Sequence, residues 1–395
     1  MQAIKITIPG KFYDSHIYSA DLFLWHEFGE YILKISWDEF LNWILERHVQ
    51  PELRFVTACA LAKNDLLYDT YWKHLLDNPL MRQQIRANFE ELSKMPINLT
   101  NLNDLNVGRQ KLQRELPFPH SDTLYFHDKL FVGDRDGLYK ASKMCRTAEK
   151  IWDGSALNLA GRNWSVAVAA GTDGLFEAPF ERGQSQRKFE IKSPKQQFQQ
   201  STNKVGWMYF SLYGSDYHDG FLADYKAYRE KNDRKHPIKR ELLKQSSVNQ
   251  LFSSDGGDYS WGVHDKLCRI QSNSLDIIQY RPSKGKRLNT LSGVQLQISP
   301  DFGEIVSANS APFGYVIEYD EGLLIVTSDG KQHLLPGEPI NWRVFPNAVH
   351  YSNHLHVIYD EALVIYSFYQ DYFVDDQENK HIGIRSDDLQ KNSLF

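Results

Sequence analysis

The chain has 395 residues and a formal net charge of −5, and 42% of its residues are hydrophobic, which is enough to fill a buried core. It contains no run of roughly 18 uninterrupted apolar residues, and Met1 opens a strand-like segment instead of a signal peptide, so we expect a cytoplasmic protein without membrane contact. Its cysteines, Cys59, Cys145 and Cys268, are too few and too scattered for a disulfide framework or a zinc site.

The chain begins with a strand-like segment, residues 1–37, and a helical segment follows it. From residue 38 to residue 95, hydrophobic residues recur at three- and four-residue steps, and Pro51 and Pro79 stand where helices would start. This pattern predicts an insertion of two or three helices. Such an insertion is either a docking element for a partner or a cap over hydrophobic strand surface, and the sequence favours neither.

One pattern recurs along most of the chain: a hydrophobic run, a tight turn that is usually acidic, and a second hydrophobic run. Clear copies begin at Leu130, Val166, Tyr315 and His356, and weaker copies begin at Leu22, Met208 and Leu267. The turn residues Gly137 and Gly174 lie 37 positions apart, and Gly322 and Ala362 lie 40 apart. A strand-containing repeat of about 40 residues is typical of β-propeller blades.

In this rhythm the chain resembles the broad class of β-propellers that includes WD-repeat and Kelch-like proteins. It lacks the recurring Gly-His and Trp-Asp signatures of the former and the recurring double glycines of the latter: Gly-His does not occur, and the dipeptides at Trp37, Trp152 and Gly256 do not recur from repeat to repeat, so no narrower family follows. The seven hairpin units predict an all-β fold, a single propeller of seven blades over residues 1–37 and 96–375, with the helical insertion in the first blade region. Six blades would result if the first unit completed the last blade, and a β-sandwich is the alternative fold.

Both ends of the predicted propeller are expected to contribute to one blade. The run from Ile4 to Ile8 would pair with the run from Tyr366 to Val374, because such closure removes exposed strand edges. Residues 376–395 are polar and would form a tail or a closing strand.

The acidic turn residues are the first candidate binding site. If each repeat is the middle hairpin of a blade, the turns share one face and form an acidic ring that attracts basic peptides or a cation. The candidates are Asp134, Asp136, Asp173, Asp219, Asp276, Asp320, Glu321, Asp360 and Glu361. The alternative is that Asp and Gly occupy these positions only because tight turns need them.

Positive charge gathers in residues 182–244, which contain 14 Lys and Arg against 7 Asp and Glu. The second half of this basic segment, from Lys226, has helical character. The segment is a candidate contact for nucleic acid or an acidic protein, and a solvated surface is the alternative. Its candidate binding residues are Arg187, Lys188, Lys192, Arg229, Arg234, Lys235, Lys239 and Arg240.

Few motifs in the sequence indicate a metal site or catalytic chemistry. His350, His354 and His356 are weak metal candidates, but no Cys or acidic ligand stands at a confirming spacing, so we predict neither a metal site nor a cofactor. The tetrapeptide His-Asp-Lys-Leu occurs at His127 and at His264, where it is expected to mark equivalent strand starts. The sequence contains no G-x-x-x-x-G-K-S/T phosphate loop and no G-x-S-x-G nucleophile elbow.

These features favour a non-catalytic scaffold or adaptor subunit that binds protein partners in a larger assembly, not an enzyme. One alternative is a propeller hydrolase or lyase that acts on a glycan or another polar substrate through carboxylates at the channel mouth. The other is a nucleic-acid-associated subunit that uses the basic segment.

Overall fold

A computed structural model describes residues 2–62, 78–102, 105, 107–111, 116–143, 145, 147–182, 189–216, 219–228, 239–253, 256–264, 266–281, 289–298, 302–327, 330–348 and 350–369. The fold is all-β with a few helices, and its strands form seven small sheets of four or five strands. Each sheet is one blade, so the predicted seven-bladed β-propeller is confirmed. By their contacts the blades divide into unit 1 (1–112 and 302–385) and unit 2 (113–301 and 386–395).

Unit 1 contains three blades, with strands numbered in chain order. The first blade contains β2 (Phe12–Tyr18), β3 (Asp21–His26), β4 (Tyr31–Ser36) and β6 (Gly108–Lys111). A second contains β24 (Ile305–Ala311), β25 (Gly314–Tyr319), β26 (Gly322–Thr327) and β27 (Gln332–Pro336). The closing blade contains β28 (Asn341–Val344), β29 (His354–Tyr359), β30 (Ala362–Phe368), β1 (Ala3–Pro9) and β5 (Ile97–Asn98).

The closing blade joins the two ends of the described chain. Strand β1 pairs antiparallel with β30, from Ala3 opposite Phe368 to Pro9 opposite Ala362. This confirms the predicted shared blade up to Phe368, while the end of the predicted run and the predicted tail 376–395 lie outside the described residues. Because the first hairpin unit has a sheet of its own, the propeller has seven blades and not six.

The helical insertion lies between β4 and β5. It contains α1 (Trp37–Arg47), a short 3-10 helix (Pro51–Leu53), α2 (Arg54–Ala62) and α3 (Pro79–Leu92). Helix α1 begins after Ser36, whose hydroxyl accepts from the Glu39 N–H, and α3 begins after Asn78, whose side chain accepts from the Leu80 N–H. None of the helices in the described part of the chain is long and apolar enough to cross a membrane.

The apolar faces of these helices pack into the core of the closing blade. Phe40, Ile44, Val56 and Phe89 belong to the same buried cluster as blade residues such as Ile6. The insertion therefore covers hydrophobic strand surface, as one of the two alternatives proposed.

Unit 2 contains four blades. The first contains β7 (Asp122–Phe126), β8 (Lys129–Asp134), β9 (Gly137–Ser142) and β10 (Ala148–Trp152). The next contains β11 (Asn158–Arg162), β12 (Ser165–Ala169), β13 (Leu175–Arg182), β14 (Phe189–Ile191) and β15 (Lys195–Phe198). The third contains β16 (Lys204–Met208), β17 (Ser211–Ser215), β18 (Gly220–Tyr228) and β19 (Lys239–Ser247), and α4 (Val248–Phe252) follows it. The fourth contains β20 (Tyr259–Val263), β21 (Lys266–Gln271), β22 (Ser274–Arg281) and β23 (Asn289–Gln297).

The helical character predicted for the second half of the basic segment is wrong for its described residues. Strands β18 and β19 pair antiparallel from Phe221 opposite Ser247 to Tyr228 opposite Lys239. The spacing of charges and leucines favours a helix only weakly, and the backbone hydrogen bonds between β18 and β19 outweigh that preference.

The two His-Asp-Lys-Leu tetrapeptides mark the same place in two blades, as predicted. His127 and Asp128 have φ values of 49° and 56° and form the tight turn between β7 and β8. His264 has a φ of 56° and stands between β20 and β21. Both tetrapeptides thus span the turn between the first and second strands, where Lys129 and Lys266 begin the second strand.

Candidate binding surfaces

Eight of the nine acidic candidates lie at the turn between the second and third strands of their sheets. They are Asp134 at the end of β8 and Asp136 after it, Asp173 after β12, Asp219 before β18, Asp320 and Glu321 after β25, and Asp360 and Glu361 after β29. Tyr319 pairs with Gly322, and Tyr359 pairs with Ala362, so each of the last two turns consists of two acidic residues alone. The repeat is therefore the middle hairpin of a blade.

Asp276 is the exception, and its placement in a turn is wrong. Gln271 pairs with Ser274, so the turn is Ser272-Asn273, and Asp276 lies inside β22. Its carboxylate accepts from Arg269 Nη2 at 3.3 Å and from Ser274 Oγ at 3.0 Å. Because this turn contains neither glycine nor an acidic residue, its position cannot be read from the sequence. Asp276, the nearest aspartate, is instead paired with the buried Arg269.

Contacts within unit 1 bring three of the middle-hairpin turns together. Lys11 Nζ lies 3.9 Å from Glu27 Oε2 in the β3–β4 turn and 3.7 Å from Glu361 Oε1 in the β29–β30 turn. The Gly337 N–H donates to the Glu321 carbonyl at 3.1 Å, and the same glycine lies beside the Tyr359 ring, next to the Asp360 turn. The acidic turns of neighbouring blades in this unit therefore lie at one end of their sheets.

Besides Phe28 in the β3–β4 turn, which is 67% exposed, two exposed aliphatic side chains lie at the same end. Val306 is 50% exposed near the start of β24, where Ile305 pairs with Tyr319 just before the acidic turn. Ile340 is 45% exposed, and its N–H donates to the Ile358 carbonyl at 2.8 Å near the end of β29. We call this surface the acidic face: Val306 and Ile340 with the exposed carboxylates of Glu304, Asp320, Glu321, Glu338, Asp360 and Glu361.

A half-buried pair of hydrogen bonds joins the two blades that carry the acidic face. Ser307 Oγ and Trp342 Nε1 both donate to Glu318 Oε2 at 2.8 Å. Ser307 is in β24 and Trp342 in β28, so the first strands of neighbouring blades are held side by side. Val306 is next to Ser307 in the chain, and Ile340 is two residues before Trp342. These hydrogen bonds therefore hold the backbone that carries both aliphatic side chains.

In the third blade of unit 2, acidic side chains hydrogen-bond to the backbone of the turn before β18. Asp219 Oδ1 accepts from the Gly220 N–H at 2.7 Å, and Asp216 Oδ1 accepts from the Asp219 N–H at 2.8 Å. These are the local hydrogen bonds for which tight turns select Asp. A ring that combines the turns of both units stays a prediction.

The basic segment is only partly described. Arg187, Lys188, Arg229, Arg234 and Lys235 lie outside the described residues, and Lys239 is the first residue of β19. Lys192 follows β14, and its ammonium lies 3.9 Å from Glu190 Oε2. The binding role of these residues stays a prediction.

Arg240 is not part of an exposed basic surface. Its side chain is 11% exposed and forms an ion pair with Glu177, whose side chain is 9% exposed. The guanidinium lies 4.5 Å from the ring centroid of Trp207 and 4.9 Å from that of Tyr225. Ser165 Oγ donates to the same Glu177 carboxylate at 2.5 Å. Arg240 thus fastens β19 to the preceding blade, a role that sequence reasoning missed because its partners lie far away in the chain.

The predicted histidines divide into one exposed and two buried residues. His350 is exposed, whereas His354 and His356 are buried on β29 with ring centroids 6.1 Å apart. His356 Nδ1 lies 2.6 Å from Ser15 Oγ. Burial, together with neighbouring histidines and an arginine, lowers the pKa of His356 well below 6.5, so the imidazole is neutral. Among the described residues, no three His, Cys, Asp or Glu side chains are placed to hold a metal ion.

A buried aspartate that the sequence did not single out lies beside these histidines. Asp14 in β2 accepts from Arg343 Nη2 at 3.1 and 3.2 Å, and His16 Nε2 lies 3.5 Å from its carboxylate. Asn341 Nδ2 also donates to Asp14, at 3.3 Å. This network joins the first blade to the closing blade.

No family model and no curated protein matches the chain by sequence. Solved structures that match include the extracellular domain of a proposed hybrid two-component system from B. thetaiotaomicron, with 8% identity and a TM-score of 0.47 over 92% of this chain and 42% of that one. The chain thus spans less than half the length of that protein. This chain is a β-propeller in the broad sense, which rests on its seven sheets. Others are Kluyveromyces lactis Hsv2 (10% identity, TM-score 0.39, 68% and 78% covered) and the WD40 domain of Neurospora crassa Pan2 (11%, 0.33, 64% and 90%).

Proposed function

We propose that the protein is a non-catalytic scaffold that binds a protein partner through the acidic face of unit 1. The observation that supports this proposal is the combination of two exposed aliphatic side chains, Val306 and Ile340, with six exposed carboxylates at one end of two neighbouring blades. Protein interfaces commonly have an apolar centre and a polar rim.

The charge of this surface selects the partner. Lys11 lies near Glu27 and Glu361 and offsets one of these charges, so the six carboxylates of the acidic face leave a negative excess among the described residues. Such a field accelerates association with a positive surface and excludes acidic ones. The partner segment is therefore rich in Lys or Arg and carries an apolar residue that contacts Val306 and Ile340.

Binding of a short fluorescent peptide of alternating lysine and leucine to the full chain tests the proposal. Neutralising the two acidic turns (Asp320→Asn, Glu321→Gln, Asp360→Asn, Glu361→Gln) should slow association and raise Kd at least about tenfold, or about 1.4 kcal/mol. Replacing Val306 and Ile340 by serine should accelerate dissociation instead.

The matched control neutralises a turn of unit 2, Asp134→Asn with Asp136→Asn, and should leave binding unchanged. A peptide of alternating lysine and serine separates the contribution of charge from that of apolar contact, and should bind more weakly than the leucine peptide. If the variants of the acidic face bind the leucine peptide as tightly as the wild type, this surface is not the docking site.

A further inference from the structure

Strand β19 is an outer strand that is longer than most of the described outer strands. It pairs with β18 on one side, and no other described strand pairs with its second edge. It has nine residues, whereas the described outer strands β6, β10, β14 and β27 have three to five. Natural proteins keep edge strands short to prevent pairing with other chains, and only β23 matches β19 in length.

The exposed edge carries apolar side chains. Residues 241–245 are all exposed, and in their centre Leu242 is 48% and Leu243 62% exposed. No other large hydrophobic side chain described in unit 2 is comparably exposed. Asp224 pairs with Lys244 and Tyr225 with Leu242, so Leu243 is the additional residue of a β-bulge.

Both ends of this exposed run are fastened to the body of unit 2. At one end Arg240 is held between Trp207 and Tyr225 and paired with Glu177. At the other end Gln245 Nε2 donates to Gln200 Oε1 at 3.2 Å. Because the edge is already held in place, it loses less conformational entropy when another strand binds to it.

We propose that β19 is a docking edge to which an extended segment of a partner protein adds as a further strand. Unpaired backbone groups on an edge bind an extended chain through main-chain hydrogen bonds, and its alternate apolar side chains would contact Leu242 and Leu243. The exposed run carries one charge of each sign, Glu241 and Lys244, and residues 182–244 as a whole contain 14 Lys and Arg against 7 Asp and Glu, so this positive excess favours acidic residues between those apolar positions. This edge lies in unit 2 and does not depend on the acidic face of unit 1.

Fluorescence anisotropy of a labelled peptide of alternating valine and glutamate, titrated with the full chain, tests the docking edge. Binding should be saturable, and Leu242→Asp with Leu243→Asp should weaken it about tenfold or more, equivalent to about 1.4 kcal/mol. The matched control is Leu334→Asp, because Leu334 is 38% exposed on the outer strand β27 of unit 1 and should not affect this peptide. The neutralised acidic face should bind it normally, which separates this test from that of the scaffold function.

Changes in the peptide test strand addition without altering the protein. Methylation of alternate backbone nitrogens removes the hydrogen-bond donors and should abolish binding, and replacement of glutamate by lysine should do the same. Equal binding of the methylated peptide, or of the wild type and the double variant, overturns the proposal. Displacement of the peptide by a single-stranded oligonucleotide also overturns the proposal, because it identifies nucleic acid as the occupant. A dimer that sedimentation detects without peptide, and that Leu243→Asp dissociates, overturns it as well, because it identifies a second copy of the chain as the occupant.

Discussion

Replacement of Arg240 by methionine removes a charge from the interior of unit 2. Methionine retains most of the apolar stem that packs against Trp207 and Tyr225, but it leaves the Glu177 carboxylate buried without its cationic partner. Ser165 Oγ continues to donate to that carboxylate, which offsets a small part of the loss. The expected result is destabilisation of the β18–β19 hairpin and of the blade beside it.

The magnitude follows from the burial of both partners. Their side chains are 11% and 9% exposed, so this is a buried ion pair, and removing one partner of such a pair costs about 3–5 kcal/mol. The cation–π contacts of Arg240 with two rings contribute to this figure at about 0.5–2 kcal/mol each. Replacement of both Arg240 and Glu177 by methionine should cost less than Arg240→Met alone, because no unpaired charge remains.

Guanidinium unfolding of the single and double variants gives the coupling free energy, and amide hydrogen exchange shows whether the loss is local to β18 and β19. Lys226→Met on β18 is the control, because this lysine is exposed and its replacement should change the unfolding free energy by less than about 0.5 kcal/mol. The reasoning is refuted if Arg240→Met is equally mild, or if the double variant loses the sum of the two single losses.

Two further predictions concern unit 1. Because the folded chain holds the pKa of His356 well below 6.5, chiefly by burial, the unfolded chain binds a proton that the folded chain does not. The contribution of His356 to the free energy of unfolding is therefore fully present above about pH 6.5 and is lost below that pH by up to about 1.4 kcal/mol per pH unit. Unfolding curves recorded across this range should show this dependence on pH, and His356→Asn should reduce it. Asn353 Nδ2 donates to the Ala60 carbonyl at 3.0 Å, so Asn353→Ala should lower the unfolding free energy by about 1–3 kcal/mol, whereas Asn98→Ala, at an exposed position, should be neutral.

The hairpins could be predicted because they are local. Six of the seven middle hairpins place two hydrophobic runs around a turn that contains Asp, Glu or Gly, so these units are visible without any long-range information. The Ser272-Asn273 turn carries the weakest signal, and it is the one whose position was wrong.

The interior placement of charges could not be predicted because it depends on distant pairs. Arg240 and Glu177 are 63 residues apart, and Asp14 and Arg343 are 329 apart. A count of Lys and Arg in a segment does not distinguish a guanidinium that fastens two blades from one that contacts solvent. The acidic face could not be predicted for the same reason. Val306 and Ile340 become neighbours of the acidic turns only through the pairing of β24 with β25 and of β28 with β29.

The role of the helical insertion also depends on contacts between residues that lie far apart in the chain. Cys59, Ala60 and Leu61 of α2 are buried, and two carbonyls of this helix accept hydrogen bonds from side chains outside it: Ala60 from Asn353 and Ser367, and Leu61 from Trp37 Nε1. Deletion of residues 38–95 would therefore remove both an apolar cover and the partners of buried side chains in the closing blade. The insertion is a structural part of that blade, and point substitutions on exposed residues, not deletions, are the way to separate binding from folding in this protein.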